Sequence, residues 1–482
     1  MPDTTRIVIL GGGPGGYEAA LVAADHGADV TIVCNEGLGG NSVLWDCVPS
    51  KAMIVSAEAM GWMQSAYRLG VRDTQDQDDI AGTASVNMAA VMDRVQSLAE
   101  NQSRDITQKV EKAGVRYVQG IGRLSDRETV EVDRAEGGSA TLQADVVLVA
   151  TGSKPRTLKF SEPDAERVFT SRELFSLREL PPRLIVVGSG ATGAEYAHAF
   201  ARFGSEVHLI SSREQVLPGE DPDAAAVIED SFERWGAMIH RRKRAVDMER
   251  SADGVRVKVA PSRAGEVAPG GEEWVEGTHV LYCIGQVPYT DGLGLDSAGV
   301  EVQDNGAIPV DGVSRTNVRT IYAAGDVTGH MMLASVAAMQ GRNAMWHALG
   351  QAVSPIRWDA VAACIFTSPE VASVGLDPQE SDVPMHTVHL PLQGNPRAKM
   401  AEHTEGFVKI HAMQGSGTVL GGTVVSAGAS DLIMPITVAV NSRLTVQQLA
   451  QTFSIYPSMS GSLQETARLL LGEPAGEYNP EP

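Results

Sequence analysis

The chain is poor in cysteine: Cys34, Cys47, Cys283 and Cys364 are the only four in 482 residues. None falls in a Cys-x-x-Cys or metal-type spacing. That excludes a disulfide scaffold, gives no support to a zinc site and suits a reducing compartment. Positive charge is also scarce. Lys and Arg total 39 against 60 Asp and Glu, a formal charge of −21, and such a surface repels nucleic acid and anionic lipid. No apolar run approaches the ~20 residues that cross a bilayer. The start, Met1-Pro-Asp-Thr-Thr-Arg6, lacks the basic n-region of a secretory signal. These absences lead us to expect a cytoplasmic protein with no nucleic-acid partner, no integral membrane segment and no metal. Hydrophobic residues at 43% and charged residues at 21% are ordinary globular values, and at about 150 residues per domain the length suggests three domains.

An apolar run, Arg6 to Leu10, enters Gly11-Gly-Gly13-Pro14-Gly-Gly16 and then a helix-like segment from Tyr17 to Ala24. A second β-rich run, Asp29 to Cys34, follows. Periodicity predicts helices over 53–66 and 86–113, and strands over Arg116–Leu124 and Glu128–Val132. Val146 to Ser153 reads as a buried strand ending in a tight turn. The pattern then restarts: Arg183–Val187, the turn Gly188-Ser-Gly190-Ala-Thr-Gly193, a helix over 194–203, and the strand Glu206–Ile210, closing at Val280 to Gly285. Ile321 to Asp326 matches nothing in the second unit and would complete the first. The second unit is therefore expected to be inserted in the first. Beyond about residue 355, alternating runs at 406–411 and 419–425 predict antiparallel strands, with helices near 428–441 and 444–452.

One Gly-x-Gly-x-x-Gly motif can be a glycine-rich turn and nothing more. Here two copies each follow a strand and open a helix, where glycines admit a pyrophosphate to the backbone and the helix N-terminus favours its charge. Two such folds imply two dinucleotides, most economically a flavin and a nicotinamide hydride donor.

These turns, together with Gly39-Gly40 through Cys47-Val-Pro-Ser-Lys51, Ala150-Thr151-Gly152, Gly193-Ala-Glu195, Ala323-Ala-Gly325-Asp326 and Phe366 to Gly375, make the chain resemble the flavoprotein disulfide reductases over nearly its full length. The resemblance implies an α/β architecture of two Rossmann-like domains, with the NAD(P) fold inserted in the FAD fold, plus an α+β C-terminal dimerisation domain and hence a homodimer. The boundaries expected are 1–155 with 285–355 for FAD, 156–284 for NAD(P)H and 356–472 for dimerisation, with a tail at 473–482. FAD is expected at Gly11, Gly13, Pro14, Gly16, Gly40, Asn41, Ser42, Ala150, Thr151, Gly152, Gly325, Asp326, Leu333, Ala334 and Ser335. Glu36 is the candidate for its adenosine ribose, because Cys34 occupies the usual acid's place. Lys51 would sit by flavin N5, paired with Glu195, where a cation stabilises developing negative charge; the other reading makes Glu195 a solvated helix residue. NAD(P)H is expected at Gly188, Gly190, Gly193, Ser211, Ser212, Arg213 and Gly285. Serines where an acid would select NAD, with Arg213 beside them, favour NADPH with NADH possible, unless Arg213 is an ordinary surface charge.

Three departures bear on the reaction. The family's reducible disulfide needs Cys-x-x-x-x-Cys, and Ser42 stands in the first place before Cys47. Its proton-shuttling His is replaced by Tyr456, a phenol of ordinary pKa about 10, and the orienting Glu by Gly461. Hydride transfer from NAD(P)H to FAD keeps its parts, and the combination is similar to the lipoamide-dehydrogenase-like NAD(P)H:quinone reductases. A quinone is thus the expected acceptor, with Lys51, Glu195, Cys47 and Tyr456 as the catalytic positions. Two alternatives stay open: a single-cysteine oxidase or peroxidase using Cys47, and a flavin-binding interaction subunit with little turnover. Cys47 could also merely pack against the flavin. Cys283 and Cys364 read as buried small hydrophobes.

Overall fold

A computed structural model describes residues 4–71 and 84–472; the expected tail at 473–482 lies outside the described residues. The first sheet has seven strands in the order Ile321–Ala323, Val146–Val149, Arg6–Leu10, Asp29–Cys34, Arg116–Leu124, Thr129–Arg134 and Ser139–Gln143. Its first five strands are parallel and the last two antiparallel. Ile7 to Leu10 are at most 3% exposed, the burial on both faces that makes a parallel strand read as an unbroken apolar run.

The second sheet runs Met238–His240, Glu206–Ile210, Arg183–Val187, His279–Tyr282 and Val168–Phe169, all parallel. An antiparallel meander, Lys243–Arg250, Val255–Arg263 and Glu273–Gly277, leans on it. The chain leaves and re-enters the outer fold side by side, because Ser153–Pro155 pairs antiparallel with Gln286–Pro288. Ile321–Ala323 then pairs with Val146–Val149. The doubly dinucleotide-binding α/β class expected from the sequence is the fold observed.

Helix Pro14–Asp25 packs on helix Ala334–Ala348 so closely that a Cβ on Gly341 would lie 2.1 Å from the Gly15 carbonyl oxygen. The helix expected at 53–66 spans Cys47–Ser65. Pro49 falls in its first turn, where a proline forfeits no intrahelical hydrogen bond.

The C-terminal sheet is antiparallel, in the order Ala363–Ile365, Glu370–Gly375, Val419–Ser426, Phe407–Met413 and Met385–Pro391. In strand Phe407–Met413 the polar positions do not face water. Lys409 is 8% exposed and its Nζ donates to Asp221 and Asp223, each at 2.6 Å, at the start of helix Pro222–Arg234 in the inserted fold.

Candidate active site

The two glycine turns share one geometry. Gly11 and Gly188 both have φ of +108°, and a Cβ there would lie 2.1 Å from the Ala150 carbonyl oxygen and 2.2 Å from that of Cys283. The third glycines, Gly16 and Gly193, press on the carbonyls of Gly11 and Gly188. The middle ones differ: a Cβ on Gly13 meets nothing nearer than 3.9 Å and one on Gly190 nothing within 4 Å. The outer glycines are thus fixed by packing, whereas the middle ones keep backbone N–H groups open to a ligand at the helix N-terminus.

A cavity of about 380 Å³ runs from the first turn, within the range of small-molecule sites. Gly11, Gly13, Pro14, Glu36, Gly40, Asn41, Ser42, Cys47, Ala150, Thr151, Gly152, Gly325, Asp326 and Ala334 all line it. Gly16 acts through packing, and Leu333 and Ser335 do not line the cavity; Ser335 points to solvent at the start of its helix. The Asp326 carboxylate accepts the Ser153 hydroxyl at 2.6 Å, and burial raises its pKa despite that bond. At the open end, Arg172 donates to Glu36 at 2.7 Å and to Asn41 at 3.2 Å and stacks over Trp45, whose indole N–H donates to Glu36 at 2.9 Å. Glu36 therefore reaches the cavity with both carboxylate oxygens engaged.

One helical turn past Cys47, and not on the cavity wall itself, Lys51 Nζ donates to Glu195 Oε2 at 2.8 Å. The other Glu195 oxygen accepts the Phe366 backbone N–H at 3.0 Å, and the Lys51 ammonium lies 4.9 Å from the Phe366 ring centroid. Glu195 is 3% exposed, so it is not a solvated helix residue. Burial works against the Lys51 charge, but Glu195, Cys47 and Asp46 together outweigh it and hold the ammonium above its ordinary pKa. Burial pushes the neighbouring Cys47 thiol up to about 11, with the Asp46 charge adding to it.

In the second fold Ser211 is 0% exposed. Its hydroxyl accepts the Ser189 hydroxyl at 2.8 Å and donates to the Arg213 carbonyl at 3.2 Å. The expectation that Ser211 meets a nucleotide ribose is therefore corrected: the first residue past the strand points into the core. Ser212 and Arg213 do reach the surface, lining a cavity of about 590 Å³ with Arg242 and Arg263. Arg213 is exposed and donates to the Ala264 carbonyl. Tyr456, 83% exposed in the single chain beside the exposed Phe453 and Ile455, does not line the cavity of its own chain. Cys283 is buried, whereas Cys364 is only partly so. Among the described residues no helix is long and apolar enough to cross a membrane, and no cluster of metal-ligating side chains is found.

The sequence family described as pyridine nucleotide-disulphide oxidoreductase matches residues 5–341, and its dimerisation domain matches residues 361–467. The chain belongs to that family. It is 47% identical over 479 residues to the NAD(P)H dehydrogenase (quinone) of Mycobacterium tuberculosis, spanning 97% of this chain and 94% of that protein. It is 31% identical over 477 residues to the dihydrolipoyl dehydrogenase of Haloferax volcanii, spanning 97% of each. The crystal structure of LpdA from M. tuberculosis superposes with a TM-score of 0.89 at 46% identity, covering 97% of this chain and all of that one. The protein is accordingly an oxidoreductase, dependent on a flavin and NAD(P)H, that carries its family's dimerisation domain.

The residues present fit those cofactors. Gly13 and Gly190 leave the backbone approach open, and the Asp326 carboxylate lines the cavity. Bound FAD would supply two-electron chemistry next to the Lys51–Glu195 pair. Four parts of the site escaped sequence reasoning: Arg172 over Glu36, the Phe366 N–H, Ser153 on Asp326, and Asp46. The first three partners are 136, 171 and 173 residues apart, and no local pattern announces such pairs.

Proposed function

We propose that the protein is an FAD-dependent NAD(P)H:quinone oxidoreductase working by ping-pong hydride transfer, and not a disulfide reductase. The observation that carries this reading is the cavity wall itself. Ser42 and Cys47 both line it, all four cysteines are free, and the Ser42 hydroxyl donates to the Gly39 carbonyl at 3.0 Å. No dithiol is available to pass electrons on, yet the Lys51–Glu195 pair is in place. Lys51 would stabilise charge at flavin N5, Glu195 would hold Lys51 in position, Asp326 would bond the flavin's ribityl chain and Glu36 the adenosine end. The name of the M. tuberculosis relative agrees with a quinone as acceptor. Domain limits at 155/156, 284/285 and 355/356 and a homodimer are part of the same reading, and four free thiols suit the cytoplasm.

The test is anaerobic: reduce the holoenzyme with NADPH, then offer a naphthoquinone, lipoamide and O₂ separately. Reoxidation by the naphthoquinone alone is expected. Disulfide turnover of comparable rate would refute the reading.

Cys47 does not favour the peroxidatic alternative, since the thiolate is the reactive form and burial keeps this thiol protonated at neutral pH. Cys47→Ser should leave quinone turnover within about tenfold of the parent, equivalent to ~1.4 kcal/mol in the barrier. A much larger loss in steady-state assays, with FAD retained and still reduced by NADPH, would give the thiol a role in the oxidative step.

NADPH is the expected donor because Arg213, Arg242 and Arg263 surround the second cavity, next to the strand end where a 2′-phosphate is read. Arg242 is paired with Glu214, leaving Arg263, exposed and in no ion pair among the described residues, as the cation most free to meet a phosphate. Arg263→Ala should raise KM for NADPH about tenfold, the loss of one charge-assisted contact of ~1.5 kcal/mol, with KM for NADH unchanged. A parent enzyme that strongly prefers NADH would contradict the assignment.

A further inference from the structure

Reducing a quinone to a hydroquinone takes two electrons and two protons. NADPH brings both electrons and one hydrogen as hydride, so NADPH + Q + H⁺ → NADP⁺ + QH₂ leaves one proton to be supplied per turnover. The positions where the resemblance implied a proton shuttle hold Tyr456 and Gly461, and no histidine lines the cavity among the described residues.

The other acids on the cavity wall are committed. Glu36 is held by Arg172 and Trp45, Asp326 by Ser153, and Asp291 by Lys154 at 2.5 Å. The Cys47 thiol is too weak an acid to donate readily. Asp46 is different. It lines the cavity between the turn Asn41–Trp45 and helix Cys47–Ser65 and occupies the helix N-cap position. An aspartate there ordinarily accepts a backbone N–H of its own helix. This one, with φ −137° and ψ −89°, makes no side-chain capping bond. No hydrogen bond or ion pair to its carboxyl is found among the described residues, and it stands next to Cys47 on the cavity wall.

We propose that Asp46 is the proton donor of the oxidative half-reaction. This rests on the quinone reading above. As the acceptor takes up hydride, the Asp46 O–H bond breaks, its proton passes to the acceptor oxygen, and the resulting carboxylate is reprotonated from water.

The electrostatics suit the task. Lys51 and Cys47 face Asp46 from its own helix, Glu195 and Tyr196 from helix Ala191–Phe203, and Cys283 and Asp326 from strand ends. Burial raises the carboxyl to about 6; Lys51 pulls it down, and the Glu195 and Asp326 charges push it up again. A general acid works best when its pKa lies near the operating pH. Because the acid form donates, the rate should be level below about pH 6 and fall as pH rises above it.

The experiment compares the parent with Asp46→Asn and Asp46→Glu as FAD-loaded enzymes reduced anaerobically by NADPH. Each is reoxidised between pH 5 and 8 by a naphthoquinone or by ferricyanide, which takes electrons without protons. The parent should lose about tenfold per pH unit above the break. Asp46→Asn should be about 10²–10⁴-fold slower on quinone at pH 5.5 and lack the break, and Asp46→Glu should restore much of both. In the oxidised holoenzymes the visible flavin bands should shift with a midpoint near pH 6 in the parent and not in Asp46→Asn. Equal losses on quinone and ferricyanide, or a break and band shift that survive in Asp46→Asn, would overturn the proposal. A parent that is reduced by NADPH yet never reoxidised by quinone would instead overturn the functional reading, before any variant is compared.

Discussion

Lys51→Met should slow flavin reduction by NADPH about 10²–10³-fold, the cost of removing one preorganised electrostatic stabiliser from a reacting centre. Stopped-flow bleaching of the flavin band measures it directly, without an acceptor. The same substitution leaves Glu195, with 4% of its side chain exposed, as a buried carboxylate whose remaining bond is the Phe366 N–H. Breaking a buried pair costs about 3–5 kcal/mol. The lower end applies here, because the Lys51 side chain keeps 28% exposure and water screens part of the interaction. Glu195→Gln should be milder on both counts, since an amide still accepts the Phe366 N–H and the charge left unpaired is that of Lys51, whose side chain keeps 28% exposure. Lys51→Met reduced at the parental rate would remove the ammonium from hydride transfer altogether.

Ser42→Cys should restore the cysteine spacing and still not yield a disulfide reductase. A dithiol in that place is oxidised and reduced only if a proton reaches the leaving sulfur. Gly461 offers no carboxylate to orient a base, and Tyr456 is a phenol where an imidazole would be needed. General acid–base assistance is worth about 10²–10⁴-fold, so lipoamide turnover by Ser42→Cys should trail a complete disulfide reductase by about that factor. Steady-state assays with lipoamide against a naphthoquinone decide it. Turnover approaching the quinone rate would mean that another acid, Asp46 beside Cys47 being the candidate, can protonate the leaving sulfur.

The parts of the site that were legible in the sequence are the ones that local geometry dictates. Gly11 and Gly188 stand out because only glycine tolerates their φ of +108° with a carbonyl about 2 Å from any Cβ. The insertion was legible because Ile321–Ala323 had to pair with a strand the inserted fold does not contain. Lys51 and Glu195 came from motifs, each on its own helix, and their 2.8 Å contact has no signature in either segment. Ser211 was misread for a related reason. The position after a strand can face ligand or core, and what turns it inward is Ser189, 22 residues earlier. Lys409 is a like case: Asp221 and Asp223 cover it from another domain, and nothing in its own strand announces them. Asp46 was hidden most completely, since a helix-preceding aspartate ordinarily reads as a cap.

The close seating of Gly341 on Gly15 bears on the order in which a nascent chain can mature. The first sheet lacks its edge strand until Ile321–Ala323 leaves the ribosome, and the first glycine turn lacks its covering helix until Ala334–Ala348 follows. The inserted fold has all five of its parallel strands by Tyr282. Domains fold as units during synthesis, so the inner unit can close while the outer one still waits for residues made far later. On the functional reading proposed above, nicotinamide-nucleotide binding would be available before the flavin cradle exists, and loading of the flavin would be a late event in the life of the polypeptide.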